Sequence, residues 1–372
     1  MTREKMQTLH DYIIDEKQWR FGNDGQYNFA TKDGKEYLIK RLNFPRYPAS
    51  DSFKGEFKQK KIDLCNEWLR HRQEIIDAIP GSGTGTIAKP IEVFREGSRY
   101  YEVSYMINGT SIPYYEVYKE SYIDKVGIMR MVALSLSDIH NRGVIHGNLK
   151  PENILIYRLP ESHNFVVRVI GFTNSFFEKE LPNVIPAETT WQSPEVLRYN
   201  QAAWFEKNPN PCENEISCKL DVYSLGLIFH LYCSGTLPTY VEKSSEQEVG
   251  VESALQISQE IDPYFKELIL HMLQEDTSKR MSMSDVQRFL MGKTGPAWPK
   301  SKSPDLKLGQ QEKKIVSENA LIKLVTGHGV KSAYIHPRNS RKVVLTFENG
   351  QNRIMDKDLA MKMGYVRKEE TH

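Results

Sequence analysis

The sequence predicts an α+β protein followed by a small appendage, on three observations. Residues 26–31 and 36–42 alternate apolar and polar side chains on either side of Lys32-Asp33-Gly34, which marks a hairpin closed by an Asp-Gly turn. Residues 57–78 carry the apolar spacing of an amphipathic helix. Gly292-Lys293-Thr294-Gly295-Pro296 and the Lys/Ser/Pro-rich run through Pro304 have the composition of a solvated linker with little apolar surface to bury. Past that linker, residues 317–326 are expected to be helical, 331–336 and 341–348 to be strands, Asn349-Gly350 to turn, and 356–363 to form a capped helix. The boundaries are a main domain over 1–292, a linker over 293–312 and a small basic domain over 313–372.

Composition narrows the setting. At 372 residues the chain exceeds one typical domain. Its four cysteines, Cys65, Cys212, Cys218 and Cys233, show no metal-binding spacing and are expected to be reduced thiols of a cytoplasmic protein. The N-terminus is charged and polar through Lys5 and develops no apolar run, so no signal peptide is expected. No apolar stretch approaches the roughly 20 residues of a membrane helix. From Pro296 onward there are 15 Lys and Arg against 8 Asp and Glu, a net +7, while the whole chain carries +2 and residues 1–295 therefore −5. That separation suits an acidic partner or nucleic acid at the basic end, and equally a basic small domain kept soluble by its charge.

Chemistry concentrates in three places. Val144 to Leu155 reads VIHGNLKPENIL; the strand at 165–170 runs into Gly171-Phe172-Thr173; and Thr190-Trp191-Gln192-Ser193-Pro194-Glu195 follows at a short distance. These resemble, in order, the H-R-D-L-K-P-E-N catalytic loop, the D-F-G element and the A-P-E segment of protein kinases. Asp221-Val222-Tyr223-Ser224-Leu225-Gly226 resembles the start of that family's buried large-lobe helix, and Arg280 its late arginine. The resemblance implies a bilobal fold, with an antiparallel sheet plus one helix in the small lobe and a mostly helical large lobe. It also implies an ion pair between Glu195 and Arg280.

Two working carboxylates are missing from this frame. The family's general base is an Asp where this chain has Asn148, and an amide has no basic lone pair at neutral pH. Its metal-binding Asp is Gly171 here, which brings no oxygen ligand. Gly147 stands in place of the arginine that clamps phosphorylated activation segments, while His146, Lys150 and Asn153 match. Lys40 in Tyr37-Leu38-Ile39-Lys40 resembles the strand lysine that contacts nucleotide phosphates, and Glu67 is the chosen helix partner for it, with Glu56 and Glu74 as alternatives. The phosphate-cradling glycine loop has shrunk to Gly22-Asn23-Asp24-Gly25, where Asp24 would repel phosphate. Val103 is expected as gatekeeper, Ser104 and Met106 as hinge, and Leu155 as a further residue of the nucleotide cleft.

The resemblance implies a pseudokinase, a scaffold or allosteric regulator of protein partners, among them an active enzyme. It implies no catalytic residue and no enzyme, no metal, and weak metal-independent ATP binding or none. A divergent phosphotransferase or nucleotidyl transferase using other residues is the alternative. A nucleic-acid adaptor acting through the basic C-terminal segment is a further one, and no membrane partner is expected.

Overall fold

Period-two alternation sets the small lobe, a seven-stranded antiparallel sheet. Its strands are β1 (Met6–Leu9), β2 (Tyr12–Asp15), β3 (Arg20–Gly22), β4 (Gly25–Lys32), β5 (Lys35–Leu42), β6 (Glu92–Glu96) and β7 (Arg99–Tyr105). They run in the order β1-β2-β4-β5-β7-β6, with β3 paired to β4. The structure is a computed structural model. It describes residues 6–292 except 16–17, 23–24, 50–54, 82–84, 108, 160–164, 187, 205–209 and 243–252, and beyond these 324–326, 330–335, 342–347, 352–356 and 366–368.

The expected hairpin is β4–β5, closed by Asp33 and Gly34 with φ of 52° and 72°. Two consecutive positive φ values make the turn type whose twist matches the strands, and Asp-Gly adopts it at little cost. The β1–β2 hairpin, not anticipated from the sequence, turns likewise through His10 and Asp11. One sheet face buries Tyr12, Ile14, Tyr37, Ile39, Phe94 and Val103. The other carries Leu42 and Tyr100 against α1 (Glu56–Ala78), where Trp68 meets the Tyr100 ring edge-on at 4.9 Å.

The large lobe contains α2 (Tyr122–His140), α3 (Pro194–Trp204), α4 (Lys219–Ser234), α5 (Pro263–Met272) and α6 (Met283–Leu290). Ser121 caps α2 by accepting from the Asp124 N–H, and Ser282 with Asp285 forms a capping box on α6. Every residue from Leu220 to Tyr232 of α4 is buried, as an all-round apolar helix requires. Gly226 lets α5 approach: a Cβ there would meet Leu273 Cδ2 at 2.8 Å. Two short antiparallel pairs place the motifs, β8 (Val144–Ile145) with β11 (Phe176–Phe177), and β9 (Ile154–Arg158) with β10 (Phe165–Val169). Lobes of this composition make the mixed α+β bilobal fold that the sequence predicts.

The chain divides into two units, 1–238 with 257–297, and 239–256 with 298–372. The second contains the hairpin β12 (Thr239–Glu242) with β13 (Ser253–Gln256), which the expected boundaries assign to the main domain. It also contains β14 (Leu324–Thr326), paired to β18 (Val366–Lys368), and the three-stranded sheet β15 (Val330–Ile335), β16 (Lys342–Phe347), β17 (Asn352–Asp356). The strands expected at 331–336 and 341–348 are β15 and β16. Residues 324–326 are strand rather than helix, and Asp356 ends β17. Cross-strand pairing decides such short β-branched segments, which local propensity leaves ambiguous. The linker and the calls on 317–323, 349–350 and 357–363 lie outside the described residues. No described helix is long and apolar enough to cross a membrane.

Candidate active-site cleft

Register fixes what faces the small-lobe lysine. Lys40 on β5 lies directly opposite Glu102 on β7, and residues opposite each other in an antiparallel ladder share a face. Glu102 is therefore the cleft-side residue of β7. Val103, the expected gatekeeper, points the other way: it opposes Ile39 and is fully buried in the outer small-lobe core. Ser104, two residues past Glu102, returns to the Lys40 side, and the Met106 N–H donates to the Glu36 carbonyl at 3.2 Å. Gly22 and Gly25 are a cross-strand pair at the β3–β4 tip; Asn23 and Asp24 lie outside the described residues.

The helix presents an arginine where a carboxylate was expected. Cys65, Arg72, Ile75 and Ile76 are the buried stripe of α1. Arg72 Nε donates to Glu102 Oε1 at 2.6 Å and Nη2 to the Phe172 carbonyl at 2.7 Å. The Thr173 hydroxyl donates to Glu102 Oε2 at 2.9 Å and accepts from Lys40 Nζ at 2.9 Å. Sheet, helix and the residues after β10 are thus tied by one chain, Lys40 to Thr173 to Glu102 to Arg72. Glu67 is exposed, five residues and so about 140° around the helix from Arg72. Glu56 and Glu74 are exposed too, and Glu74 pairs with Arg70. The sequence did carry a sign of this, an arginine inside the apolar stripe of a helix.

The loop around His146 is held from below. Asp221 accepts from the His146 N–H at 2.8 Å, the Gly147 N–H at 3.1 Å and His140 Nε2 at 2.9 Å. Burial alone would push the Asp221 carboxyl up, yet the hydrogen bond and charge of His140, with His146, outweigh it and hold the group below the usual carboxylate range. Burial keeps His146 below its ordinary value and neutral. Its Nε2–H then donates to the Ile170 carbonyl at 2.8 Å, leaving Nδ1 to accept the Asn148 N–H at 3.3 Å. The His146 ring also meets Phe172 at 4.9 Å. The expected Glu195–Arg280 ion pair is present, at 2.6 and 3.0 Å, with both side chains fully buried.

Around the two altered positions the neighbours have closed in. Gly171 has φ 84°, and a Cβ there would lie 2.5 Å from Asn153 Cγ and Oδ1. Asn153 Nδ2 donates to the Asn148 carbonyl at 2.8 Å, which fixes the amide over Gly171. Gly147 has φ 74°, and a Cβ there would meet Phe176 Cε1 at 2.9 Å and the Asn174 carbonyl at 3.0 Å. Lys150 is buried and donates to Glu188 Oε2 at 2.9 Å, so a carboxylate of the chain itself sits on the lysine of the loop. Leu155 follows on β9, half-buried opposite Arg168. These residues do not fit the magnesium that such a fold implies: Gly171 offers no oxygen and the space beside it is taken by Asn153. Among the described residues, Lys40, Lys150 and Asn153 could meet a phosphate. Glu102, Arg72, Thr173 and Glu188 are site residues the sequence reading did not single out.

Comparison with known proteins places this cleft. The model of the protein kinase domain matches residues 57–289. Calcium-dependent protein kinase 8 of Arabidopsis thaliana is 26% identical over 267 residues, covering 63% of this chain and 46% of that protein. Serine/threonine-protein kinase cds1 of Schizosaccharomyces pombe is 26% identical over 271 residues, covering 68% and 52%. Serine/threonine-protein kinase ULK3 of Xenopus laevis is 24% identical over 158 residues, covering 41% and 31%. The chain spans about half or less of the length of these relatives. The matches overturn the expectation that the chain is no enzyme, because the family and the relatives are kinases and point to a kinase enzyme. With the large lobe's buried anchors in place and the family match running from α1 to α6, this chain belongs to the protein kinase domain family.

Proposed function

We propose that this kinase-family chain acts mainly by docking protein partners, as a scaffold or allosteric regulator of another enzyme in the cytoplasm. The observation that supports this best is the self-contained chain Lys40–Thr173–Glu102–Arg72, which engages the phosphate lysine with groups of the protein itself. A nucleotide entering the cleft must displace Thr173 from Lys40 and Glu188 from Lys150, and it finds no carboxylate at 148 or 171 to hold a metal. ATP therefore binds weakly and without metal, or does not bind. A fold that keeps its buried anchors while its cleft is so engaged offers its outer surface, and partners are proteins on this view. The basic C-terminal segment supplies a second contact, which raises avidity when both sites are reached together.

A second reading has its own support. Lys40, Lys150 and Asn153 persist, and the relatives are named serine/threonine kinases. Phosphoryl transfer rests mostly on positioning and electrostatics, so a divergent transferase would work through these groups and other carboxylates. The double variant Lys40→Met/Lys150→Met separates the two in the source cell. Docking expects the variant, once shown to be folded, to replace the natural chain in full; loss of cellular function with the fold intact assigns the role to transfer chemistry. If partner capture instead runs through nucleic acid, it falls steeply with salt.

A further inference from the structure

A groove of about 560 Å³ opens between α1 and the segment after β10. This volume lies in the range of small-molecule sites, roughly 300–1,000 Å³. Its walls are mostly apolar, with Leu64, Trp68 and Ile75 from the helix and Phe176, Leu181 and Val184 from the segment. Arg72 also lines it, and only 3% of that residue is exposed. Two edges of its guanidinium are used, Nε on Glu102 and Nη2 on the Phe172 carbonyl, but Nη1 is buried with no hydrogen-bond partner. A buried donor left unmade carries its full desolvation cost, more on a charged group, and an acceptor supplied by a ligand would recover it.

We propose that this groove is a binding site for a small apolar carboxylate, which accepts from Arg72 Nη1 and lays its hydrocarbon body against Leu64, Trp68 and Val184. An ionised acceptor is favoured because a hydrogen bond from a guanidinium is charge-assisted. The rim refines the choice. Arg70 is paired with Glu74 and His71 with Glu180, while Glu67 stands exposed at the mouth. A ligand must therefore place its charge deep, beside Arg72, and its apolar part toward Glu67. The groove shares Arg72 and Thr173 with the polar chain of the cleft but opens beside α1, and the proposal does not depend on the docking role above.

The test is isothermal titration of the full chain with naphthalene-1-acetate and with its uncharged amide, each with and without ATP. The acid is expected to bind about tenfold more tightly than the amide, the factor that 1.4 kcal/mol gives. In Arg72→Met/Glu102→Gln, which removes the donor without leaving a buried unpaired charge, that preference is expected to vanish. In Leu64→Asp, at a position already 57% exposed, acid binding is expected to fall about tenfold or more while the fold persists. Four results overturn the proposal: no binding by the natural chain, equal affinity for acid and amide, undiminished binding in Leu64→Asp, or competition by ATP, which would move the ligand to the cleft.

Discussion

Replacing Arg72 by methionine removes one partner of an ion pair whose side chains are each 3% exposed and 2.6 Å apart. The Glu102 carboxylate then stays buried on the Thr173 hydroxyl, and the Phe172 carbonyl loses the Nη2 donor. Half-removal of a buried pair costs about 3–5 kcal/mol, while replacing both charges is often close to neutral. Arg72→Met is therefore expected to lose about 3 kcal/mol or more, and Arg72→Met/Glu102→Gln to regain most of it. Urea unfolding followed by tryptophan fluorescence reads this directly, because Trp68 sits on α1 against Tyr100. A shifted midpoint with an unchanged slope reports stability. A loss below about 1 kcal/mol in the single variant, or a double variant no better than the single, would refute the buried-pair account.

Other outcomes follow from the same geometry. Gly171→Asp is expected to destabilise by about 1–3 kcal/mol, since φ is 84° and the new Cβ would strike Asn153; an unchanged unfolding midpoint would show that Asn153 yields freely. Thr189→Glu or Thr190→Glu is expected to leave hydrogen exchange across 173–192 unchanged, because Gly147 provides no guanidinium for the new anion; strong new protection there would count against it. His146, His230 and His271 are all held below their ordinary value by burial. Below a pH of about 6.5 the unfolded chain takes up protons that the folded chain refuses, so stability is full above that pH and declines as pH falls through it. A flat unfolding free energy between pH 7.5 and 5.5 would contradict the assignment. Glu195→Gln is expected to lose about 3–5 kcal/mol through the stranded Arg280, measurable by the same unfolding assay.

Most of the fold could be read from residues, and the reason is local. The β4–β5 hairpin follows from alternation around Asp33-Gly34, α1 from its apolar spacing, and the loop around His146 from a motif of contiguous residues. The cleft's polar wiring could not, because it depends on which strand residues share a face and which helix residue turns inward. A one-residue difference of register exchanges Val103 for Glu102, and five residues along α1 exchange an exposed Glu67 for a buried Arg72. In the C-terminal segment the strands of hairpin type were legible, but 324–326 pairs with 366–368 across about forty residues, a partnership that no local pattern announces.

The presence of Lys40 acquires a structural cause from this wiring. A lysine ending Tyr37-Leu38-Ile39-Lys40 invites a nucleotide, yet here its ammonium holds the Thr173 hydroxyl, and that hydroxyl in turn donates to Glu102. Glu102 also takes the Arg72 guanidinium, so two cations bracket one buried carboxylate with a hydroxyl between. Removing Lys40 would take away the donor to the Thr173 hydroxyl, which would keep its bond to Glu102 beside Arg72. The lysine thus has work in holding β5 to the residues after β10 whether or not phosphate ever reaches it. Its persistence cannot by itself be taken as a mark of ATP binding. Thr173→Val discriminates between the two roles: it removes the relay while leaving Lys40 in place. If Lys40 serves the relay, the variant is expected to lose about 1–3 kcal/mol of stability, and ATP binding stays weak because Glu188 must still be displaced from Lys150. If instead Lys40 is held in reserve for phosphate, stability changes little and ATP affinity rises, because the lysine has been released from its internal partner.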